Sequence, residues 1–133
     1  MDDKPLVLIV DDEISHLRLM EIMLVEVGCE IVTAEHPREA LAVLKARTPS
    51  LIIMDVNMPG LSGIALSGRI RGVKRLQRVP IILVASQLTP ELRELAKWED
   101  LTTVLEKPLT STRLQARVRQ ALAGPPARQA VPA

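Results

Sequence analysis

The sequence predicts an alternating α/β fold, a parallel sheet with helices packed on both faces. Three observations carry that prediction. First, short apolar runs recur at Leu6–Val10, Leu51–Met54 and Ile81–Ala85. They are continuous, not alternating, as expected for strands buried on both faces. Second, the segments between these runs carry apolar residues at helical spacing. Third, ionisable residues follow directly on the apolar runs: Asp11-Asp12-Glu13, Asp55 and, later, Lys107. The carboxyl ends of strands are where open α/β sheets bind ligands. Strict alternation of strand and helix leads to parallel pairing with crossover helices on either side.

The first strand is Leu6-Val7-Leu8-Ile9-Val10, rich in β-branched residues. A helix is expected from about Ile14 to Val27, stopped by Gly28. Ile14, Leu17, Met20, Glu21, Leu24 and Val27 share one side of it, and Leu19, Ile22 and Met23 fall outside that arc. Those three are read either as a broad core stripe with scattered surface apolars or as a docking patch for a partner. Glu30–Ala34 is the second strand, and Pro37 near the first turn opens a helix running to about Arg47. Ala40, Leu41, Val43 and Leu44 mark its inner side. The third strand runs into Asp55, and the turn pair Pro59-Gly60 follows.

Ser62 is the expected N-cap of a helix from about Gly63 to Val73. Arg69, Arg71, Lys74, Arg75 and Arg78 then form a basic patch. Solvated cations at a helix C-terminus explain it better than nucleic-acid binding, because no aromatic residue interleaves the charges. Pro80–Ser86 is the fourth strand, and Thr89-Pro90 starts a helix that holds Leu92, Leu95 and Ala96. Leu101–Leu105 is the fifth strand, ending in Glu106-Lys107-Pro108. The last helix runs from about Ser111 to Ala123 with Leu114, Val118, Ala121 and Leu122 inward.

Length and charge bound the rest. The chain has 133 residues and a formal net charge of +1. That suits one domain, expected over residues 1–123 with a disordered tail over 124–133. The near balance of charge favours neither direct nucleic-acid binding nor a membrane surface. No apolar run approaches the roughly 20 residues of a membrane span. The acidic N-terminus is unlike a signal peptide, and Cys29 is the lone cysteine. A cytoplasmic protein is therefore expected. Phe and Tyr are absent, so the core must come from Leu, Ile, Val, Met and Ala.

The strand ends carry the chemistry. Adjacent parallel strands can bring Asp11, Asp12, Asp55 and Lys107 together. Two carboxylates about 4 Å apart repel by roughly 4 kcal/mol at an effective dielectric of 20. A divalent cation relieves this, and oxygen donors favour Mg²⁺ over zinc. Lys107 adds a positive charge that can hold an anion against Asp55. A metal, a lysine and a carboxylate nucleophile suit phosphoryl transfer.

On these residues the chain resembles the receiver domains of two-component response regulators. The matching pieces are Asp11-Asp12 after an apolar strand, Met54-Asp55-Val56-Asn57-Met58-Pro59-Gly60, and Lys107-Pro108 after the fifth strand. The resemblance implies a flavodoxin-like (βα)5 fold with a five-stranded sheet in order 2-1-3-4-5. It implies Mg²⁺ held by Asp12, Asp55 and the backbone carbonyl of Asn57, with Asp11 placing a water on the metal. It implies that Asp55 accepts a phosphoryl group from a histidine kinase or a histidine phosphotransfer protein. It implies a cis bond before Pro108 that aims Lys107 into the site. Output through a downstream protein target follows, with the fourth helix, fifth strand and fifth helix as the usual output and homodimer face. Arg113, Arg117 and Arg119 on that face read equally as solvated charges.

The chain departs from the family in three places. Ala85 stands where the family has a Ser or Thr, and Ser86 one residue later points to the other face unless a bulge intervenes. Val104 stands at the usual aromatic switch position. Ala96–Leu101 lacks the usual glycine-containing turn. Gln87, two residues past Ala85, is expected to bear on phosphoryl lifetime. Two other classes compete with the phosphoacceptor reading. A pseudo-receiver would work by protein contacts without phosphorylation, as Ala85 and Val104 would allow. A haloacid-dehalogenase-like phosphatase would need a general acid two residues after the nucleophile, where Asn57 stands. A nucleotide-binding site lacks its Gly-rich fingerprint.

Overall fold

The computed structural model of the protein describes residues 4–98 and 101–124, without the Trp98 side chain. Five strands, β1 (Leu6–Val10), β2 (Glu30–Ala34), β3 (Leu51–Asp55), β4 (Ile81–Ala85) and β5 (Thr102–Glu106), alternate with five helices. The helices are α1 (Ile14–Met23), α2 (Pro37–Ala46), α3 (Gly63–Arg71), α4 (Pro90–Trp98) and α5 (Ser111–Leu122). All strand pairs are parallel, in the order β2-β1-β3-β4-β5. This is the flavodoxin-like arrangement that the sequence predicts. β1, β3 and β4 are buried along their whole length, which is why their sequences are continuous apolar runs.

Side chains alternate across the sheet and build two cores. Leu8, Val10, Ile52, Met54, Leu83 and Ala85 pack with Ala40 and Leu44 of α2, Leu66 and Ile70 of α3, and Leu92 of α4. Val7, Ile9, Ile53, Val84 and Leu105 pack on the other face with Leu17 and Met20 of α1 and Leu114 and Val118 of α5. Aliphatic side chains and methionine fill both, as the lack of Phe and Tyr requires.

Several local expectations are corrected. α1 ends at Met23, and Val25–Val27 form a 3-10 turn instead of continuing the helix. The Leu24 N–H is shared between the Met20 and Glu21 carbonyls, a tightening common at helix ends. Gly28 then takes a left-handed φ of 79°, the ordinary way to turn out of a helix. Ile14, the first residue of α1, is 48% exposed and not inward. α3 stops at Arg71, two residues early, capped by Gly72. Ala96 of α4 faces solvent. The sequence feature at Ala96–Leu101 lies partly outside the described residues, as does the expected tail from 125 onward.

The expected caps form. Ser62 Oγ accepts the Ala65 N–H at 3.1 Å, and Thr89 Oγ1 accepts the Leu92 N–H at 3.2 Å. Thr110, which the sequence reading passed over, caps α5 through the Arg113 N–H at 3.1 Å. Arg71 is a tie within the fold: its guanidinium donates to the carbonyls of Val79 at 2.6 Å and Leu101 at 3.2 Å. That bond set accounts for one member of the basic patch.

Candidate functional site: an acidic cluster at the strand ends

Asp11 follows β1 directly, and Asp55 is the last residue of β3, its neighbour in the sheet. The adjacency of these two inner strands brings the acids together. One carboxylate oxygen from each of Asp11, Asp12 and Asp55 lies within 4.8 Å of the others. Asp11 and Asp55 are 1% and 4% exposed, while Asp12 is half-buried. Lys107 reaches the cluster from the end of β5: its Nζ stands 3.0 Å from Asp55 Oδ1. The β4–β5 ladder continues past the strand, with the Lys107 N–H donating to the Ala85 carbonyl at 2.8 Å. The Lys107–Pro108 peptide is cis, as the resemblance implies.

Asp55 is electrostatically uncomfortable. Burial pushes its carboxyl above the ordinary value; the nearby Lys107 ammonium pulls it down, and the Asp11 and Asp12 charges push it up again. Oδ1 is buried, and Lys107 meets it at 3.0 Å as an ion pair that offsets its charge.

Gly63, at the start of α3, touches the site from behind. Its N–H donates to the Val56 carbonyl at 2.9 Å. A Cβ there would meet the Asp55 carbonyl oxygen at 2.5 Å and Val56 Cα at 2.9 Å. Only glycine lets α3 begin so close to the strand end. Asn57 is exposed in the loop between.

The switch positions are plain. The β4–β5 register runs unbroken to Ala85↔Glu106, so no bulge re-aims β4. The Ala85 methyl is buried in the α2–α3–α4 core. Ser86 follows the strand and is exposed. It borders two cavities, one of about 470 Å³ shared with Asp11 and Lys107 and one of about 530 Å³ shared with Asn57 and Gln87. Val104 is half-buried against the α2–α3–α4 core.

The three candidate docking residues border two grooves beside α1. Leu19 and Met23 line the 470 Å³ cavity beside Lys107, Pro108 and Leu109. Ile22, 69% exposed, lines another groove with Arg18, Val25 and Ile31.

His16 is a residue that sequence reasoning missed. Its Nδ1 lies 3.1 Å from Asp11 Oδ2, and its Nε2 lies 3.4 Å from Glu13 Oε1. The signal was present as an imidazole three residues after Glu13 in the first turn of α1. Asp11 Oδ1, for its part, accepts the Glu13 N–H at 3.0 Å.

The family model described as "Response regulator receiver domain" matches residues 7–119. The chain belongs to the response regulator receiver family. The chemotaxis protein CheY4 of Vibrio cholerae superposes with a TM-score of 0.82 at 31% identity, covering 90% of this chain and 99% of that one. The "Probable transcriptional regulator ycf27" of Pyropia yezoensis is 34% identical over 123 residues, 91% of this chain and 49% of that protein. An uncharacterized 14.6 kDa protein of Leptolyngbya boryana is 32% identical over 121 residues, 90% of this chain and 92% of its own length. The receiver thus spans about half the length of the ycf27 relatives and nearly all of the Leptolyngbya protein. Receivers of this family act in two-component signalling with histidine kinases or phosphotransfer partners as phosphoacceptor modules. No described helix of this one is long and apolar enough to cross a membrane.

Proposed function

We propose that this receiver accepts a phosphoryl group on Asp55 from the phosphohistidine of a histidine kinase or phosphotransfer protein. The observation that carries the reading is the buried Asp55 carboxylate, 3.0 Å from Lys107 and within 4.8 Å of Asp11 and Asp12. An Asp55 oxygen attacks phosphorus, the P–N bond breaks, and its electron pair returns to the donor imidazole nitrogen. Lys107 holds a phosphoryl oxygen and offsets the incoming charge. The all-oxygen donor set of Asp11, Asp12 and Asp55 fits a hard divalent cation. Asp12, Asp55 and the Asn57 carbonyl would hold Mg²⁺, with Asp11 orienting a water on it. When bound, the ion neutralises the carboxylates and the transferring group's oxygens.

Output runs through altered contacts with a downstream protein in the cytoplasm. Leu19 and Met23, beside Lys107, are the docking residues for the phosphodonor, and Ile22 borders a neighbouring groove. Ala85 carries no hydroxyl and Val104 no ring, which supports a second reading, a pseudo-receiver that works without phosphate. Ser86 at the cavity rim is the candidate substitute hydroxyl.

Intact mass after incubation with acetyl phosphate and Mg²⁺ separates the two readings. One added phosphoryl group on the wild type and none on Asp55→Asn is the expected result. No adduct on a wild type that binds Mg²⁺ would overturn the phosphoacceptor reading in favour of the pseudo-receiver.

A further inference from the structure

We infer that a second copy of this chain docks on the outward face of α1, across a two-fold axis that runs the two helices antiparallel. Ile22 and Val25 are 69% and 72% exposed, and Ile14, at the start of the helix, is 48% exposed. Three large aliphatics on one helix and the turn that follows it are more than scattered surface residues, and a concentration of this kind marks an interaction site. At about 3.6 residues per turn, Ile14, Arg18, Glu21 and Ile22 fall within an arc of about 100°. Val25 joins that face, because it lines a groove of about 570 Å³ with Arg18, Glu21 and Ile22. The groove also takes in Ile31 of β2, at the opposite edge of the sheet from β5. It is therefore distinct from the face formed by α4, β5 and α5.

Charge decides which partner fits. One cation and one carboxylate, Arg18 and Glu21, line the groove. Among the described residues, neither forms an ion pair within its own chain. Their positions are self-complementary. The midpoint between Arg18 and Glu21 along the chain is also the midpoint between Ile14 and Val25. A two-fold axis through that point sets Arg18 level with Glu21 of the partner subunit, about 2 Å along the helix from the axis at 1.5 Å per residue. It sets Ile14 level with Val25 of the partner subunit, about 8 Å from the axis. Each contact then occurs twice, as a self-complementary two-fold interface requires. Ile14 is the side chain that enters the opposing groove.

The alternatives fit less well. A parallel pairing would set Arg18 against Arg18 and Glu21 against Glu21, and like charges facing each other are costly. A partner presenting one sign of charge would leave either Arg18 or Glu21 opposed by its like. A second copy answers both and covers the aliphatic side chains as well.

Sedimentation equilibrium of the full chain, from micromolar to millimolar concentration, tests this pairing. Wild type is expected to show a reversible monomer–dimer equilibrium. Ile22→Asp weakens it about 10-fold or more, the scale of losing an apolar anchor. Arg18→Glu and Glu21→Arg each weaken it, because like charges then meet at both symmetric contacts, and the double variant returns close to wild type. Arg113→Glu, on α5, leaves it unchanged. Thermal melts establish that each variant is folded. A wild type that stays monomeric to millimolar concentration overturns the inference, and so does an Ile22→Asp chain that dimerises as tightly as wild type. A double variant no tighter than either single one overturns the antiparallel register. A dimer weakened by Arg113→Glu and not by Arg18→Glu belongs to the α4–β5–α5 face and likewise overturns the inference.

Discussion

Asp55 is held at a cost. Its folded carboxyl titrates above its ordinary value through burial first, with Asp11 and Asp12 adding to the rise and Lys107 opposing it. A group raised in this way contributes stability below its unfolded value, and that contribution is lost as pH rises through the folded value. Metal-free protein at neutral pH therefore carries a penalty at Asp55. Asp55→Asn should stabilise the metal-free fold by about 1–2 kcal/mol, the relieved repulsion less the lost Lys107 attraction. Urea denaturation as a function of pH checks it: the gap over wild type should open from the carboxyl range upward and narrow when Mg²⁺ is added. Cys29 shifts for a related reason. Burial raises its thiol, and its own backbone contact and Lys4 only partly offset that. Alkylation by iodoacetamide near pH 8 should run slower in the folded chain than in urea, where the thiolate is more populated. Equal rates would mean that the thiol is solvated in both states.

At the scale of elements, α3 makes the sharpest demand. Two of its glycines look alike in sequence and differ in surroundings. A Cβ at Gly63 would run into the Asp55 and Val56 backbone, whereas Gly68 is exposed with nothing within 4 Å. Gly63→Ala should destabilise by about 3 kcal/mol, since backbone and not a pliable side chain must give way. Gly68→Ala should stabilise by about 0.5–1 kcal/mol through helix propensity and a less mobile unfolded chain. Thermal melts of the two variants should move in opposite directions; a neutral Gly63→Ala would mean that α3 shifts freely. α1 shows where local pattern ends. Its apolar residues continue to Val27, yet the helix stops at Met23. A hydrogen bond from Gln115 of α5 takes the Met23 carbonyl at 2.7 Å, a contact with a residue far along the chain that no local period reveals.

For the whole molecule, the sheet was legible because three of its strands are buried on both faces and must be apolar throughout. Asp11, Asp12, Asp55 and Lys107 were legible because strand ends are marked by abrupt polarity. The His16 contact was not, since it depends on how the chain leaves β1 and enters α1. Nor was the division of Leu19 and Met23 from Ile22 between two grooves, which depends on what packs beside α1. That division has a measurable consequence. Leu19→Asp should slow phosphotransfer from a protein donor about 10-fold or more, as loss of an apolar anchor of about 1.4 kcal/mol or more does. Phosphorylation by acetyl phosphate should be unchanged. Ile22→Asp should leave both rates near wild type. Equal slowing by the two substitutions would return all three residues to one docking surface.

The Gly63–Val56 hydrogen bond closes residues 57–62 into a small ring whose clasp is also the start of α3. A ring of that size has few conformations left to lose, so the Asn57 backbone is restricted before any ion arrives. Were the clasp opened, the same carbonyl would belong to a longer, looser segment, and its ordering would fall due at each binding event. Under the proposed function, the residence of a cation at the strand ends would thus be set partly by an amide behind the site.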